Sequence, residues 1–391
     1  MRTRHLTGLA ALCLAPASAM ALGLDRSGQP VDVLFEDGNY FEFSVSGVFP
    51  NVEGTDTLGF DTGNVAEDFS QIGAGVKFQL SDELSLGFIA GQPYGVDVDY
   101  PEGRSLMLGG TLAQADSREF TALARYEFND NFSVHGGLRY TWLQADVRLS
   151  GLAYGGLNGY EVSLDEDGDA GVVAGVAYER PEIALRVALT YFGKTEHEHD
   201  TRETLNGLGV GEIPPVALGL PVNPFSTEST TVVETPEAIN LDFQTGLNPR
   251  TLLFGQIRYA WYGDVVVSPT FYDALDQPES EGTSLTQVED NYAVTLGIGR
   301  ALTEDLSGLV SVRYVAKEDD DLVSPLSPTN GQTALNVGLS YDVNDQVTIS
   351  GGLRYAWLGD AEPETGTPDV ARADFEDNHL VGIGLQLGYR F

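Results

Sequence analysis

The chain has almost no cysteine, few basic residues and no long apolar segment, and each absence excludes a class of protein. Its single cysteine, Cys13, lies near the N-terminus, so no disulfide and no cysteine-based metal or catalytic site is expected in the rest of the chain. The 21 Lys and Arg residues stand against 58 Asp and Glu residues. This balance argues against nucleic-acid binding, which needs basic surfaces. Beyond the N-terminus no uncharged apolar run reaches roughly 18 residues, so no transmembrane helix is predicted.

The N-terminal residues have the pattern of a secretory signal. Arg2 and Arg4 precede a short apolar stretch, and small residues follow up to Ala21. The apolar stretch is too short to span a bilayer as a helix, which needs about 20 residues. We therefore predict a signal peptide at 1–21, a short N-terminal segment at 22–38 and one structural domain at 39–391.

The remainder of the chain alternates apolar residues with small or polar ones. In the last run every second residue from Val381 to Phe391 is apolar, and the residues between them are glycine or polar. Runs of about 9 to 11 residues with one apolar face are typical of strands that cross a membrane. Short turns and long acidic connections alternate between the runs. We predict an all-β fold, a transmembrane antiparallel β-barrel of about 14 strands in the bacterial outer membrane. The predicted runs include 84–96, 118–128, 132–146, 169–180 and 183–194.

Three segments share the pattern Gly-x-Leu/Ile-Arg-Tyr-x-Trp, at 136–142, 255–261 and 351–357. Their spacing is unequal, which excludes a repeat array of fixed period. On strands, their Tyr and Trp side chains would face lipid at one height, where outer-membrane barrels carry an aromatic girdle. Phe391 ends the last lipid-facing row, and we predict that it is the C-terminal signal for the barrel-assembly machinery. The predicted girdle residues are Tyr140, Trp142, Tyr259, Trp261, Tyr355 and Trp357.

The arginines of these segments would point into the barrel lumen, because they alternate with the lipid-facing aromatics. Arg139, Arg258 and Arg354 then lie at about the same height as Arg313, which occupies the equivalent position of its own run. Two interpretations stay open. The arginines form a structural network with carboxylates, or they form a station that binds the anionic group of a ligand.

Neither an enzyme motif nor a complete metal site is present in the sequence. There is no Gly-x-Ser-x-Gly, no His-Glu-x-x-His and no Gly-rich phosphate loop. His197 and His199 would share one strand face but have no third ligand nearby, so 196–200 is predicted to be a solvated loop. We predict no catalytic activity, no cofactor and no bound structural metal. The acidic loops are predicted to contact outer-membrane lipids and lipopolysaccharide through divalent cations.

The connection at 205–226 differs from the other long connections because it is apolar and rich in glycine and proline. An exposed apolar segment of this length is unfavourable unless it packs on other parts of the protein or meets a hydrophobic ligand. Two interpretations therefore stay open for this segment. It is a cap braced by prolines, or it captures ligand.

In these features the chain resembles the FadL/TodX family, outer-membrane channels for fatty acids and aromatic hydrocarbons. Residues 84–95 look like the third strand of that family, with a similar break at Gly91, Pro93, Tyr94 and Gly95. The segment 235–237, followed by an alternating run and a Trp, is similar to the Leu-Pro-Glu segment of the family. The resemblance implies release of substrate sideways through the strand break. It also implies a longer N-terminal plug than 22–38 can form, so a reduced hatch is expected here.

These observations together predict a channel for passive uptake of small hydrophobic molecules, fatty acids or aromatic hydrocarbons. Pro93 has no N–H and so interrupts a ladder, which fits a wall break, but proline is also common where a strand simply ends. Two other functions stay open. The barrel is a general porin for hydrophilic solutes, or it is a structural or adhesive barrel whose loops bind partners.

Overall fold

Fourteen antiparallel strands close into a barrel, which confirms the predicted fold class. The computed structural model describes residues 24–274, 284–286, 288–318, 321–366 and 370–391. The barrel closes because β1 pairs on one side with the next strand and on the other side with the last strand. The strands are β1 (Tyr40–Asn51), β2 (Phe69–Gln79), β3 (Leu84–Gly91 and Gly95–Asp99), β4 (Leu112–Asn129), β5 (Phe132–Leu149), β6 (Tyr160–Arg180), β7 (Leu185–Phe192 and Glu196–Leu205), β8 (Glu228–Glu234 and Ala238–Asn248), β9 (Thr251–Ala260), β10 (Asn291–Ala301), β11 (Leu306–Val315), β12 (Gln332–Asp342), β13 (Val347–Leu358) and β14 (His379–Arg390).

The remaining described elements are short. Two-residue strands pair Thr55–Asp56 with Ala373–Asp374 and Leu322–Val323 with Glu362–Pro363, and Leu208–Gly209 pairs with the end of β7. No helix of the described residues is long and apolar enough to cross a membrane. The helices are α1 (Thr270–Ala274) and 3-10 turns at Asp32–Phe35, Leu152–Leu157, Pro181–Ile183, Val210–Glu212 and Pro215–Leu218.

Short turns join the strands at one end of the barrel, and long connections join them at the other. We call these the turn end and the loop end. β1 starts at the turn end and β14 finishes there, with Tyr40 opposite Arg390. The turns are 80–83, 130–131, 181–184, 249–250, 302–305 and 343–346.

Alternation along each strand separates an apolar outer face from a mixed lumen. In β14, Ile383 and Leu385 are exposed on the outside, whereas Leu380 is fully buried on the inside. Large apolar side chains cover the outside of the barrel, which in water would be unfavourable over an area of this size. A lipid environment removes that cost, because a membrane-spanning barrel turns its apolar face to the acyl chains.

Three strands are longer than the sequence predicted. The predicted runs 118–128, 132–146 and 169–180 are too short, because the strands continue past the barrel at the loop end. There Leu112 pairs with Arg148, which also pairs with Glu161. The continuation buries small and apolar residues such as Ala113 and Tyr160, and short alternating stretches of this kind give a weak signal in sequence.

The strands β7 and β8 also continue into a hairpin that the sequence did not predict. Glu196 pairs with Glu234, and the ladder extends to Arg202 opposite Glu228. The prediction of a solvated loop at 196–200 is therefore wrong. Polar residues occupy both faces of this strand, so the apolar alternation on which the strand prediction depended is missing.

The N-terminal segment, residues 24–39, lies inside the barrel. Asp32 accepts a hydrogen bond from Arg186 at 2.6 Å, and Glu36 accepts one from Arg390 at 2.7 Å. The ring of Phe35 lies under the guanidinium of Arg186 at 4.6 Å. Ion pairs and a cation–π contact thus hold the segment across the lumen near the turn end. The predicted signal peptide at 1–21, with residues 22 and 23, lies outside the described residues.

Candidate functional site

Arg139 is fully buried in the lumen and has a complete set of partners. Its Nη1 donates to Glu119 Oε2 at 3.0 Å and to the Tyr94 hydroxyl at 3.1 Å, and its Nη2 donates to the carbonyl oxygen of Gly193 at 2.7 Å. A buried guanidinium is tolerable when it is paired and hydrogen-bonded in this way. Arg139 therefore belongs to the structural network of the barrel.

Arg258 is also fully buried, and its partner comes from the N-terminal segment. Its Nε donates to Asp25 Oδ2 at 2.5 Å, its Nη1 to Asn240 at 2.9 Å and its Nη2 to Gln29 at 3.1 Å. Asp25 itself is fully buried and also accepts the Gly28 N–H at 3.0 Å. Arg258 thus fastens the N-terminal segment to the barrel wall.

Arg313 and Arg354 differ from the other two inward arginines. Within the described ranges neither has a carboxylate partner, and the buried Nε and Nη2 atoms of Arg313 have no hydrogen-bond partner there. The Nε of Arg354 donates to Asn336 Oδ1 at 2.9 Å. Both amide atoms of the buried Gln332 are likewise unpartnered in the described part of the chain. This side of the lumen, β11 to β13, carries positive charge that a ligand anion could meet.

The third strand is interrupted in the middle. Gly91 pairs with Glu119 of β4, and the strand resumes at Gly95 opposite Asp116. Three residues of β3, 92–94, therefore oppose two residues of β4, which is a β-bulge with one extra residue. The strand continues beyond the interruption, so Pro93 does not mark its end. Pro93 contributes by lacking the N–H that a ladder would need.

The wall beside the interruption lacks pairing on one side. The ladder between β2 and β3 ends at Ala74 and Ala90. Closer to the loop end, residues 69–73 of β2 pair with β1 only. A cavity of about 120 Å³ lies at this place, and its lining contains lumen-facing residues together with Ile72, whose side chain is exposed on the outer face. Its lining includes Gln71, Ile72, Gln92, Pro93, Glu119 and Leu385.

The N-terminal segment braces the interruption from inside. The N–H of Arg26 donates to the carbonyl oxygen of Pro93 at 2.7 Å, and the N–H of Gly95 donates to the carbonyl oxygen of Leu24 at 2.8 Å. A Cβ at Gly95 would lie 2.3 Å from Arg26 Cζ, so a larger residue there would displace the Arg26 guanidinium. The Arg26 guanidinium pairs with Asp97 at 2.5 Å. Neither Asp25 nor Arg26 was predicted as a site residue. The available signal was that two adjacent charged residues in a short segment inside a barrel require partners.

Searches by sequence match nothing, since no family model and no curated protein matches the chain. The fold does match solved structures. A FadL homologue from Pseudomonas aeruginosa superposes with a TM-score of 0.71 and 13% identity, over 97% of this chain and 97% of that chain. The toluene transporter TodX of Pseudomonas putida gives 0.64 and 13% over 96% and 98%. The toluene transporter TbuX of Ralstonia pickettii gives 0.62 and 13% over 96% and 97%.

The chain has the FadL/TodX fold. At this low identity the likeness establishes the fold, and the residues of this chain must carry any argument about function. The proteins reported above are a FadL homologue and two transporters, and none is described as an enzyme.

In this FadL-type barrel the predicted girdle residues lie on the outer face. Each Tyr contacts the Trp two residues later, with ring centroids 4.6 Å apart for Tyr140 and Trp142 and 4.9 Å for each of the other two pairs. Trp142 pairs across the ladder with Arg118, next to the Glu119 that faces Gly91. The strand interruption therefore lies at the height of these aromatic side chains. Membrane anchoring by these residues stays a prediction.

Phe391 lies on the outer face at the turn end, as the alternation of β14 requires. Its ring stacks on Tyr389 with centroids 5.9 Å apart and contacts Phe78 of β2 edge-on at 6.1 Å. The side chain is 49% exposed, so it remains accessible beside its aromatic neighbours. Its role as an assembly signal stays a prediction.

His197 and His199 are buried next to each other in the hairpin that continues β7. Their rings stack with centroids 5.8 Å apart. Burial lowers the pKa of His197, and the neighbouring His199 lowers it further. Among the described residues no group of three or more His, Cys, Asp or Glu side chains could hold a metal ion. Nδ1 of His199 contacts the carbonyl oxygen of Asp165 at 2.7 Å, so the pair joins β6 to β7.

The apolar connection at 205–226 divides into buried and exposed parts. Val210 and Phe225 pack with Tyr160 and with Phe271 of α1 in a hydrophobic cluster at the loop end. By contrast, Val216 is 86% exposed. The part with Val210 and Phe225 is therefore a packed cap, and the part with Val216 is an apolar surface that a ligand could contact.

Another loop contact at this end centres on a buried carboxylate, Asp56. Burial alone would raise the pKa of Asp56, but hydrogen bonds from backbone N–H groups and from the Ser105 hydroxyl outweigh it and lower the pKa. Asp56 accepts from Ser105 at 2.7 Å and from Leu106 N–H at 3.0 Å. The loops that follow β1 and β3 are fixed to each other by these contacts.

Proposed function

We propose that this protein is an outer-membrane channel for the passive uptake of small hydrophobic molecules, with lateral release through the interruption of β3. The observation that carries the proposal is the cavity beside the β3 interruption, whose lining combines lumen residues with Ile72 and Gln92 at the gap in the wall. A hydrophobic solute gains by leaving through the wall, because it passes directly into lipid and never crosses the aqueous phase beyond the barrel.

The loop end supports capture of such molecules from outside. Leu208, Val216, Leu220 and Val222 expose apolar side chains in the connection at 205–226. Exposed apolar groups in one segment often mark a binding surface for a hydrophobic ligand. The acidic loops at this end would contact outer-membrane lipids, with divalent cations bridging the loops to lipopolysaccharide.

The filled lumen argues against the alternative of a general porin. Arg139 and Arg258 are fully buried, and the N-terminal segment crosses the lumen between them and the turn end. A porin needs a continuous aqueous path along the barrel axis. The route for solutes that this arrangement favours is sideways, at the height of the β3 interruption.

The proposal is tested by uptake measurements on cells that express the protein. We expect labelled toluene and labelled oleate to enter faster than in cells with an empty vector, while uptake of a small sugar stays unchanged. A barrel that raises sugar uptake and leaves both hydrophobic solutes unchanged would be a porin. If neither type of solute enters faster, the protein is better explained as a structural or adhesive barrel.

Arg313 and Arg354, which have no carboxylate partner among the described residues, lead to a prediction on substrate charge. We expect Arg313→Gln with Arg354→Gln to reduce oleate uptake and to leave toluene uptake unchanged. Each lost charge-assisted contact is worth roughly 1.5–3 kcal/mol of binding free energy. Arg104→Gln is the matched control, because Arg104 lies on the surface with 62% of its side chain exposed. Equal loss for both solutes in a stably folded double variant would refute an anion station.

A further inference from the structure

Two side chains, Gln92 and Gln71, form hydrogen bonds across the gap beside β3. Gln92, the first residue of the interruption, directs its amide towards β2, where Oε1 accepts the N–H of Ile72 at 3.0 Å. The carbonyl oxygen of Gln92 accepts from the side chain of Gln71 at 3.3 Å. Without the Gln92 side chain the Ile72 N–H would face the gap, since the ladder between β2 and β3 ends at Ala74 and Ala90.

Both partners of this hydrogen bond, Ile72 and Gln92, line the cavity. Ile72 is exposed on the lipid-facing side. A solute that moves from the lumen into lipid must pass between these two residues. Leaving the Ile72 N–H without a partner in the barrel wall is unfavourable, because a backbone donor that loses its hydrogen bond costs free energy.

We propose that Gln92 is a latch that closes the wall break between solute passages. The inference rests on the proposed lateral route and names the group that controls it. The latch is the side chain of Gln92, which can rotate, whereas a ladder hydrogen bond would join two fixed backbones. It can therefore open without unpairing the strands, and Gln71 keeps the second contact across the gap.

The test compares two substitutions of one residue. Gln92→Met keeps the length of the side chain but removes the acceptor, and Gln92→Glu keeps an acceptor for the Ile72 N–H. Loss of one neutral hydrogen bond corresponds to about a two- to tenfold change in the equilibrium between closed and open latch. We expect toluene uptake by Gln92→Met to rise by about two- to tenfold if latch opening limits the rate. Gln92→Glu should behave like the wild-type protein.

A second measurement reports on the latch without transport. Hydrogen exchange of the Ile72 amide, followed by NMR on the folded barrel in micelles, should accelerate in Gln92→Met by a similar factor and stay slow in Gln92→Glu. Unchanged exchange and unchanged uptake in a folded Gln92→Met barrel would overturn the latch. Deletion of Pro93 removes the extra residue of the interruption. If this deletion blocks uptake in that case, lateral release stands and only the latch is wrong. If that deletion also has no effect, the lateral route itself fails.

Discussion

Replacing Asp25 with alanine is expected to release the first residues of the N-terminal segment from β9 and to increase ion conductance strongly. Asp25 and Arg258 are both fully buried, and their ion pair joins the segment to β9. Removing one partner of a buried pair costs about 3–5 kcal/mol, because the other charge is left uncompensated. Such a cost shifts the equilibrium between docked and released segment by more than about a hundredfold.

Single-channel recording in planar bilayers measures this effect directly, and protease cleavage of the released segment gives an independent readout. Asp37→Ala is the matched control, because Asp37 lies in the same segment but is exposed. Arg258→Met in the Asp25→Ala background should restore part of the docking, since it removes the unpaired charge. A folded Asp25→Ala barrel with wild-type conductance and no cleavage would show that the ion pair does not hold the segment.

Replacing Leu385 with arginine is expected to destabilise the barrel by about 2–4 kcal/mol, the range for a basic residue on the lipid face near the bilayer midplane. Leu385 lies at the middle of β14 and is 58% exposed on the outer face. Gln386→Arg is the control, since Gln386 points inward and donates to Glu42 Oε2 at 2.9 Å. An arginine at 386 would meet that carboxylate and should cost much less.

Denaturant unfolding in lipid vesicles measures the free energy of unfolding of both variants. The shift in electrophoretic mobility between folded and unfolded forms reports the folded fraction. Similar losses of stability at 385 and 386 would contradict this assignment of faces, and a larger loss at 386 would mean that the two faces of β14 are reversed.

The architecture was predictable from the sequence because a strand has a period of two residues. The alternation that puts Tyr140 and Trp142 outside also puts Arg139 inside, and both placements follow from local pattern alone. The short turns were equally visible, because they interrupt the alternation at each strand end. The strand interruption was marked by Pro93, whose missing N–H acts locally.

The partners of the inward arginines could not be predicted, because they depend on which residues meet across the lumen. Asp25 and Arg258 are separated by 233 positions in the chain. Nothing in the three similar segments distinguishes Arg139, which is paired with Glu119, from Arg354, which has no carboxylate partner among the described residues. Arg139 and Arg258 thus belong to the structural network, and an anion station stays a proposal for Arg313 and Arg354.

The hairpin that carries His197 was missed for a different reason. Its stability comes from backbone pairing and from contacts such as the one between Glu198 N–H and Asp167 Oδ2 at 3.1 Å. Polar strands of this kind have no apolar face, so period-two hydrophobicity cannot reveal them. Gln92 could not be predicted either, because its role depends on where the ladder between β2 and β3 ends.

Deletion of Pro93 tests the central claim, lateral release, most directly. Residues 92–94 oppose two residues of β4, so the deletion removes the extra residue and allows a continuous ladder. Pro93→Ala keeps the residue count and serves as the control, and it avoids Gly95, where a Cβ would meet Arg26. We predict that toluene uptake by cells with the deletion variant falls to that of empty-vector cells, while Pro93→Ala retains uptake. Wild-type toluene uptake by a folded deletion variant would contradict release through the wall.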